Sequence, residues 1–338
     1  MKKKVLFRAD GDAQIGLGHV MRCLALAEML GDDYNRRFAI VQPAPEVVRL
    51  IEEEGVAVLP LASNQVDEFA SMLEPDMVVV LDGYAFDQSY QQTVRAGARA
   101  LVYIDDLVTG HQVADVVVNH AGGLTEYEYQ SESYTQFCIG PHYALLRPPF
   151  FAPITPTPKE GPVFVSLGGA DPSNTTVRVL EGLLAAFRLL NQIWRVHVVV
   201  GPLQQNRPAI DALKNNVRHL HILEKLNAGQ MVAELTKCQL AITACSTIAY
   251  EVCAVNRPLI AIQTADNQSR LAVFLEKNAL TPDVLPINAT IDQIANALYT
   301  GLSADSAGYR ELLTQNQRRY FDGRSPERFR ALFERLCN

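Results

Sequence analysis

Short runs of β-branched and apolar residues, each followed by a segment with helical spacing, recur along this chain and recur again after a break. In the first half the runs are Val5 to Phe7, Phe38 to Val41, Val56 to Pro60, Met77 to Leu81 and Leu101 to Ile104. Parallel strands must be joined by crossovers, usually helical, so this alternation predicts repeated βαβ units around a parallel sheet. After the first run, Val20, Cys23, Leu24, Ala27 and Leu30 fall at helical spacing, and the helix they define places Arg22 on its far side. Between Arg147 and Val163 the pattern stops. Pro148, Pro149, Pro153, Pro156, Pro158 and Pro162 crowd a stretch that can sustain neither a helix nor a central strand. The alternation then restarts with Val163 to Leu167, Val196 to Val200, Leu240 to Thr243 and Leu259 to Ile262. The expected organisation is α/β: a Rossmann-like domain over 1–147, a linker over 148–162, a second Rossmann-like domain over 163–301 and a helical segment over 302–338. That last segment carries Phe329, Leu332, Phe333 and Leu336 on one stripe and seven arginines between Arg310 and Arg335, read as a solvated face.

Composition agrees with two ordinary folded domains. The chain has 338 residues, 48% hydrophobic and 20% charged, which excludes disorder, collagen-like repetition and coiled coil. Lys plus Arg is 30 against 37 for Asp plus Glu, a net charge of −7, so the broad basic surface that nucleic acid or an anionic membrane would require is not expected. The cysteines Cys23, Cys138, Cys238, Cys245, Cys253 and Cys337 lack paired Cys-x-x-Cys spacing and read as reduced thiols, with neither a zinc site nor a disulfide framework. The basic start, Met1 to Lys4, meets Arg8 and Asp10 without an apolar signal region, and no run approaches the ~20 residues of a membrane span. A cytoplasmic protein is expected, with no nucleic-acid or membrane partner, no metal and no cofactor.

Ligands of open parallel sheets bind beyond the carboxyl ends of the strands, so residues just after each strand are the candidates. Gly16, Leu17, Gly18 and His19 open the first helix, preceded by Arg8, Ala9 and Asp10. A helix N-terminus disfavours an imidazolium, which would leave His19 neutral and able to accept a proton; the plain alternative is a loop closed by glycines with a surface histidine. The run lacks the third glycine of a dinucleotide fingerprint, since position 21 is Met. Asp82, Tyr84 and Asp87 follow the fourth strand and either position a sugar hydroxyl or serve as cap and packing residues. Asp105 and Asp106 read as a turn or cap. In the second domain, Gly168 and Gly169 precede Asp171 and Pro172, the expected N-cap and first residue of a helix, in a loop able to meet phosphate but without the lysine of a P-loop. Ser246 and Thr247 start another helix, and Glu251, one turn inside, is placed to accept both hydroxyls of a ribose or else lies on the surface. Asp266, Asn267 and Gln268 follow the next strand, as cap or as ligand contacts.

Quoted in order, Arg8 to Asp10 with Ile15 to His19, Asp82 to Tyr84 with Asp87, Asp105 to Leu107, GPHYALLRPPF (140–150), SLGGADPSN (166–174), STIAYE (246–251) and Asn267 with Gln268 span nearly the whole chain. This set resembles the UDP-2,4-diacetamido-2,4,6-trideoxy-β-L-altropyranose hydrolases of pseudaminic acid biosynthesis. The resemblance implies a GT-B fold, two Rossmann-like domains with parallel sheets facing across a cleft, and a UDP-sugar substrate hydrolysed at its anomeric carbon. It implies His19 as general base with Tyr84 near the sugar, and Gly168, Gly169, Ser246, Thr247 and Glu251 on UDP. Arg8, Gly18, Asp82, Asn267 and Gln268 would meet the sugar. A GT-B glycosyltransferase and a non-catalytic nucleotide-sugar binding protein are the rival readings.

Overall fold

The structure is a computed structural model that describes residues 2–11, 17–158, 160–168, 171, 173–201, 204, 207–215, 219–303 and 307–338. They form two compact units, Met1–Pro148 with Arg324–Asn338, and Pro149–Gly323.

In the first unit the chain runs β1 (Lys3–Ala9), α1 (Gly18–Leu30), β2 (Tyr34–Val41), α2 (Pro45–Glu53), β3 (Ala57–Leu61), α3 (Val66–Ala70), β4 (Met77–Asp82), α4 (Gln88–Gly97), β5 (Ala100–Ile104), β6 (His111–Gln112), β7 (Val116–Asn119), β8 (Gln130–Ser131) and β9 (Gln136–Ile139). Seven strands make one parallel sheet in the order β3-β2-β1-β4-β5-β7-β9, while β6 and β8 pair apart from it. The central strands are buried on both faces, as the unbroken apolar run of β4 requires; Val5, Leu6, Phe7 and Met77 to Leu81 are all fully buried. Because β2 and β3 lie on one side of β1 and β4 onward on the other, the connections leaving β1 and β4 diverge at their carboxyl ends. That is the topological switch point of such a sheet.

The second unit repeats the plan with β10 (Val163–Ser166), α5 (Thr175–Leu190), β11 (Val196–Val200), α6 (Arg207–Ala212), β12 (Leu220–Glu224), α7 (Ala228–Lys237), β13 (Leu240–Ala244), α8 (Thr247–Ala254), β14 (Leu259–Gln263), α9 (Ser269–Lys277), β15 (Val284–Pro286), α10 (Ile291–Leu302) and α11 (Ala307–Tyr320). Its strands are parallel in the order β12-β11-β10-β13-β14-β15, with the switch point between β10 and β13. Helices α5 and α10 cross closely enough that a Cβ at Gly182 would stand 2.5 Å from Ile294 Cγ2, so only glycine fits there.

Two expected boundaries shift. The proline-rich stretch expected as a linker over 148–162 is fastened to the second unit from Pro149 onward. Phe150 is 1% exposed, and the buried guanidinium of Arg257 donates to the carbonyl and hydroxyl of Thr155 at 2.9 and 2.7 Å and to the Thr236 carbonyl at 2.9 Å. The segment expected as one body over 302–338 divides after Gly323. Helix α11 stays with the second unit, where the buried Gln317 amide donates to the carbonyls of Arg257 and Leu280. The final helix, α12 (Ser325–Cys337), belongs to the first unit. It buries Phe329, Leu332 and Phe333, sets Phe333 against Tyr34 and Phe329 against Tyr143, and is tied by Ser325 Oγ to the Ala144 carbonyl at 2.9 Å. The arginine-rich face is therefore not merely solvated. Arg310 donates to the Gly301 and Ser303 carbonyls, Arg328 to that of His142 and Arg330 to that of Met29. These bonds occupy main-chain acceptors that helix and loop ends leave open. Among the described residues no helix is long and apolar enough to cross a membrane, and all six cysteines are free thiols.

Glu28 on α1 is an ionisable group at odds with its surroundings. One of its carboxylate oxygens is buried without a partner, and burial, then the nearby Glu54, push its carboxyl up to about 7 from 4.5, against the opposing pull of Arg147 and Arg36. With the folded value raised, the stability it contributes is complete below the unfolded carboxyl range and is lost as pH rises through about 7. Glu28→Gln is expected to leave melting nearly unchanged at pH 4 and to stabilise the protein at pH 8 by ~1 kcal/mol, the shift discounted for partial exposure. Thermal unfolding at the two pH values measures the difference.

Candidate functional site

Parallel pairing of β1 with β4 sets Ala9 opposite Asp82, so the turn entering α1 and the end of β4 share one corner of the sheet. Gly18 and His19 begin α1, whose first turn carries no acidic residue and no side-chain cap. Among the described residues no atom lies within 4 Å of a Cβ built on Gly18. His19 is 7% exposed and Asp82 is not exposed at all.

Three atoms meet here in a nearly equilateral triangle. Asp82 Oδ1 lies 2.7 Å from His19 Nδ1 and 2.7 Å from Arg22 Nη2, and the two nitrogens are 2.9 Å apart. A guanidinium can only donate and a carboxylate oxygen accepts, so the arrangement that satisfies all three atoms has both nitrogens donating to Oδ1. That assigns the proton of a neutral His19 to Nδ1 and leaves the lone pair on Nε2. Arg22 completes a fork on Asp82 through Nε to Oδ2 at 2.9 Å, and its Nη1 donates to Asp106 Oδ2 at 2.8 Å. Burial works against the charge of Arg22, but Asp82 and Asp106 outweigh it and hold the guanidinium more firmly protonated than usual. Tyr84 stands edge-on to His19, ring centres 4.8 Å apart, and its hydroxyl donates to Asp106 Oδ2 at 3.3 Å. Burial first and Asp106 second raise the Tyr84 phenol above its ordinary range, so it serves as a donor. Beyond β7, His120 Nδ1 accepts the Leu145 amide at 3.1 Å; burial, then Arg22, push this imidazole down to about 3, and it stays neutral.

His19 and Tyr84 thus stand together, and two expected sugar contacts take other roles. Asp82, with both oxygens occupied and no exposure, is the partner of His19 and Arg22. Arg8 is wholly buried, forks onto Asp10 at 2.6 and 2.8 Å and reaches Asn64 at 2.6 Å, while Asp10 in turn accepts the Val41 amide; it braces the sheet end. Arg22 and Asp106 are the residues that sequence reasoning missed. Arg22 was placed on the polar side of its helix, and the signal for its role is its i,i+3 spacing from His19. Asp105 does close a turn, accepting the Leu107 and Val108 amides, and Asp87 caps α4 through the Tyr90 amide.

In the second unit, Ser166 lies opposite Thr243, which sets the loops after β10 and β13 side by side. Gly168 is exposed at φ 99°, a left-handed conformation suited to glycine. Gly169, like Gly16, Ile15, Ala170 and Pro172 of the quoted motifs, lies outside the described residues. Asp171 was expected as the N-cap residue itself. Instead Asn174 holds that position and Asp171, buried, reaches over it to accept the Thr175 and Thr176 amides at 2.9 and 2.8 Å. The start of α5 is therefore filled by a carboxylate of the chain. Ser246 does occupy the N-cap position of α8 and makes no capping bond with its side chain; Thr247 is exposed, and Glu251 follows at i+4 on the same helix face. Asn267 is exposed after β14. Gln268 spends its amide on Thr264, accepting that residue's N–H at 2.7 Å and donating to its hydroxyl at 3.1 Å, so it shapes the loop. Among the described residues no cluster of three or more His, Cys, Asp or Glu is arranged to hold a metal ion.

No family model matches the chain. It is 27% identical over 275 residues to an uncharacterised protein of Methanocaldococcus jannaschii, covering 77% of this chain and 55% of that protein. It is 26% identical over 185 residues to the UDP-2,4-diacetamido-2,4,6-trideoxy-β-L-altropyranose hydrolase of Campylobacter jejuni, covering 53% of this chain and 65% of that one. The chain thus matches between about half and two thirds of the length of these relatives. Among solved structures it resembles the calicheamicin glycosyltransferase CalG4, with a TM-score of 0.65 at 15% identity over 99% of this chain and 98% of the other. The fold is GT-B.

Removing Asp82 would leave Arg22 half-compensated in a buried place. Asp82→Ala is expected to cost about 3 to 5 kcal/mol of stability, whereas His19→Ala, which spares the Arg22 fork, costs only a small fraction of that. Urea denaturation of the two variants beside the parent protein measures both.

Proposed function

We propose that the protein is a nucleotide-sugar hydrolase that releases UDP from a UDP-linked 2,4-diacetamido-2,4,6-trideoxy sugar, a step of pseudaminic acid biosynthesis. The observation that carries this reading is His19 Nδ1 held 2.7 Å from the buried carboxylate of Asp82, which leaves Nε2 to act as the base. The similarity to the Campylobacter jejuni hydrolase supports the choice of substrate.

Water is the acceptor. As its oxygen approaches the anomeric carbon, its proton passes to Nε2 of His19, and the C–O bond to UDP breaks with its electron pair leaving on the phosphate oxygen. Asp82 meets the positive charge that then appears on the imidazole, in the manner of the carboxylate of a catalytic triad. Tyr84, edge-on to His19 with its proton given to Asp106, is suited to accepting a hydrogen bond from a sugar hydroxyl or the water. On the second unit the role of holding UDP falls to the open first turn of α8, with Ser246 and Thr247 for the diphosphate and Glu251 for the ribose hydroxyls. Gly168 and the exposed Asn267 complete this reading, the latter towards the sugar. A glycosyltransferase of the same fold would use the same base on a sugar or lipid hydroxyl. Appearance of UDP and free sugar from purified protein without any acceptor separates the two.

His19→Ala is expected to bind UDP normally and to lose roughly 10²- to 10⁴-fold in kcat, the usual contribution of a general base; a loss below about tenfold removes His19 from that role. Glu251→Ala should weaken UDP binding by roughly 1 to 3 kcal/mol, read by calorimetry, without altering the fold. Turnover in heavy-oxygen water should place the label in the sugar, with inversion at the anomeric carbon seen by NMR before mutarotation. Label in UDP would mean attack on phosphorus and would overturn the mechanism.

A further inference from the structure

Arg22 has no part in the steps above, yet its guanidinium is committed on three sides. It is 13% exposed, forks onto Asp82 through Nε and Nη2 at 2.9 and 2.7 Å, and reaches Asp106 through Nη1 at 2.8 Å. Asp82, with no exposure, would without it be an anion in the protein interior, and two escapes from that state are chemically open. Asp82 can take up a proton and then donate it to His19 Nδ1, which moves the ring proton to Nε2. Alternatively His19 can take up a proton and become an imidazolium. In both states Nε2 carries hydrogen and has no lone pair for a water proton. Arg22 closes both routes: its fork keeps Asp82 ionised, and its own charge, 2.9 Å from Nδ1, opposes a second charge on the ring. Only a planar guanidinium can span both oxygens of Asp82 and still reach Asp106.

We propose that Arg22 is a positioning residue, holding Asp82 as an ionised acceptor and thereby keeping His19 in the neutral tautomer with its proton on Nδ1 and its lone pair on Nε2. The functional weight of this assignment rests on the reading of His19 as the base of the hydrolysis, and its test does not need turnover. The full chain, with histidines labelled in nitrogen-15, is examined at pH 8 by two-dimensional correlation of ring nitrogens with ring protons, His19 being identified by the signals lost in His19→Gln. The parent protein should show His19 protonated at Nδ1 and bare at Nε2. In Arg22→Met that signature should give way to an imidazolium or to the opposite tautomer, either of which supports the assignment. Arg22→Lys, which keeps the charge and the fold but not the fork, should show a second form beside the first, and it decides the question where Arg22→Met does not fold. In assays, Arg22→Met should lose roughly tenfold or more in kcat with little change in KM, as expected for a group acting through the base. A parent signature of the opposite tautomer, or an unchanged signature in the variants, overturns the role of Arg22. Absence of UDP release by the parent protein, with the expected spectra, overturns the hydrolase reading and leaves the role of Arg22 standing.

Discussion

The pairing of β1 with β4 is the interaction on which the chemistry of the first unit depends. It is a register of main-chain hydrogen bonds between two buried strands, and it sets Ala9 level with Asp82. From that alignment follow the meeting of the α1 start with the end of β4 and the triangle of His19, Asp82 and Arg22. A one-residue slip would turn Asp82 to the other face of the sheet and away from His19. The continuous apolar sequence of β4 resists such a slip only in part, since every position is buried; the hydrogen-bonded trio at its end adds a polar lock on the register.

Much of the architecture was legible in the sequence because parallel strands buried on both faces leave the same imprint wherever they occur. Val5 to Phe7 and Met77 to Leu81 announce themselves as runs that only a covered sheet can hold. Strands β7, β9, β12 and β15 did not stand out, for they are three to five residues long and some lie at the sheet edge, where half-burial permits His221, Gln136 and Pro286. The neighbouring His19 and Tyr84 were singled out as candidates from their places after strands. The trio was not, because Asp82 and Arg22 are 60 residues apart and only the fold joins them. Arg22 looked solvent-facing on its own helix; a helical pattern states which face is apolar and says nothing of a carboxylate delivered by another strand.

The second unit carries two helix starts at its switch point with opposite electrostatic character. Asp171 fills the first turn of α5 with a carboxylate, so the positive end of that helix is already answered. Ser246 leaves the first turn of α8 without a side-chain cap. Under the proposed function the two loops therefore divide the work: the loop after β10 offers backbone and shape at Gly168, and the loop after β13 offers charge complementarity.

Helix α12 has a bearing on how the chain acquires this structure. The first unit is not continuous in sequence, since its last helix is separated from the rest by the whole of Pro149–Gly323. Phe329, Leu332 and Phe333 cover part of the unit that also contains α1, and Arg330 bonds to the Met29 carbonyl near the end of α1. During synthesis the second unit can be complete while the first still lacks this cover. Of the two units, the one whose chain begins first is thus the one completed last, and until α12 arrives the apolar surface that it covers stays exposed.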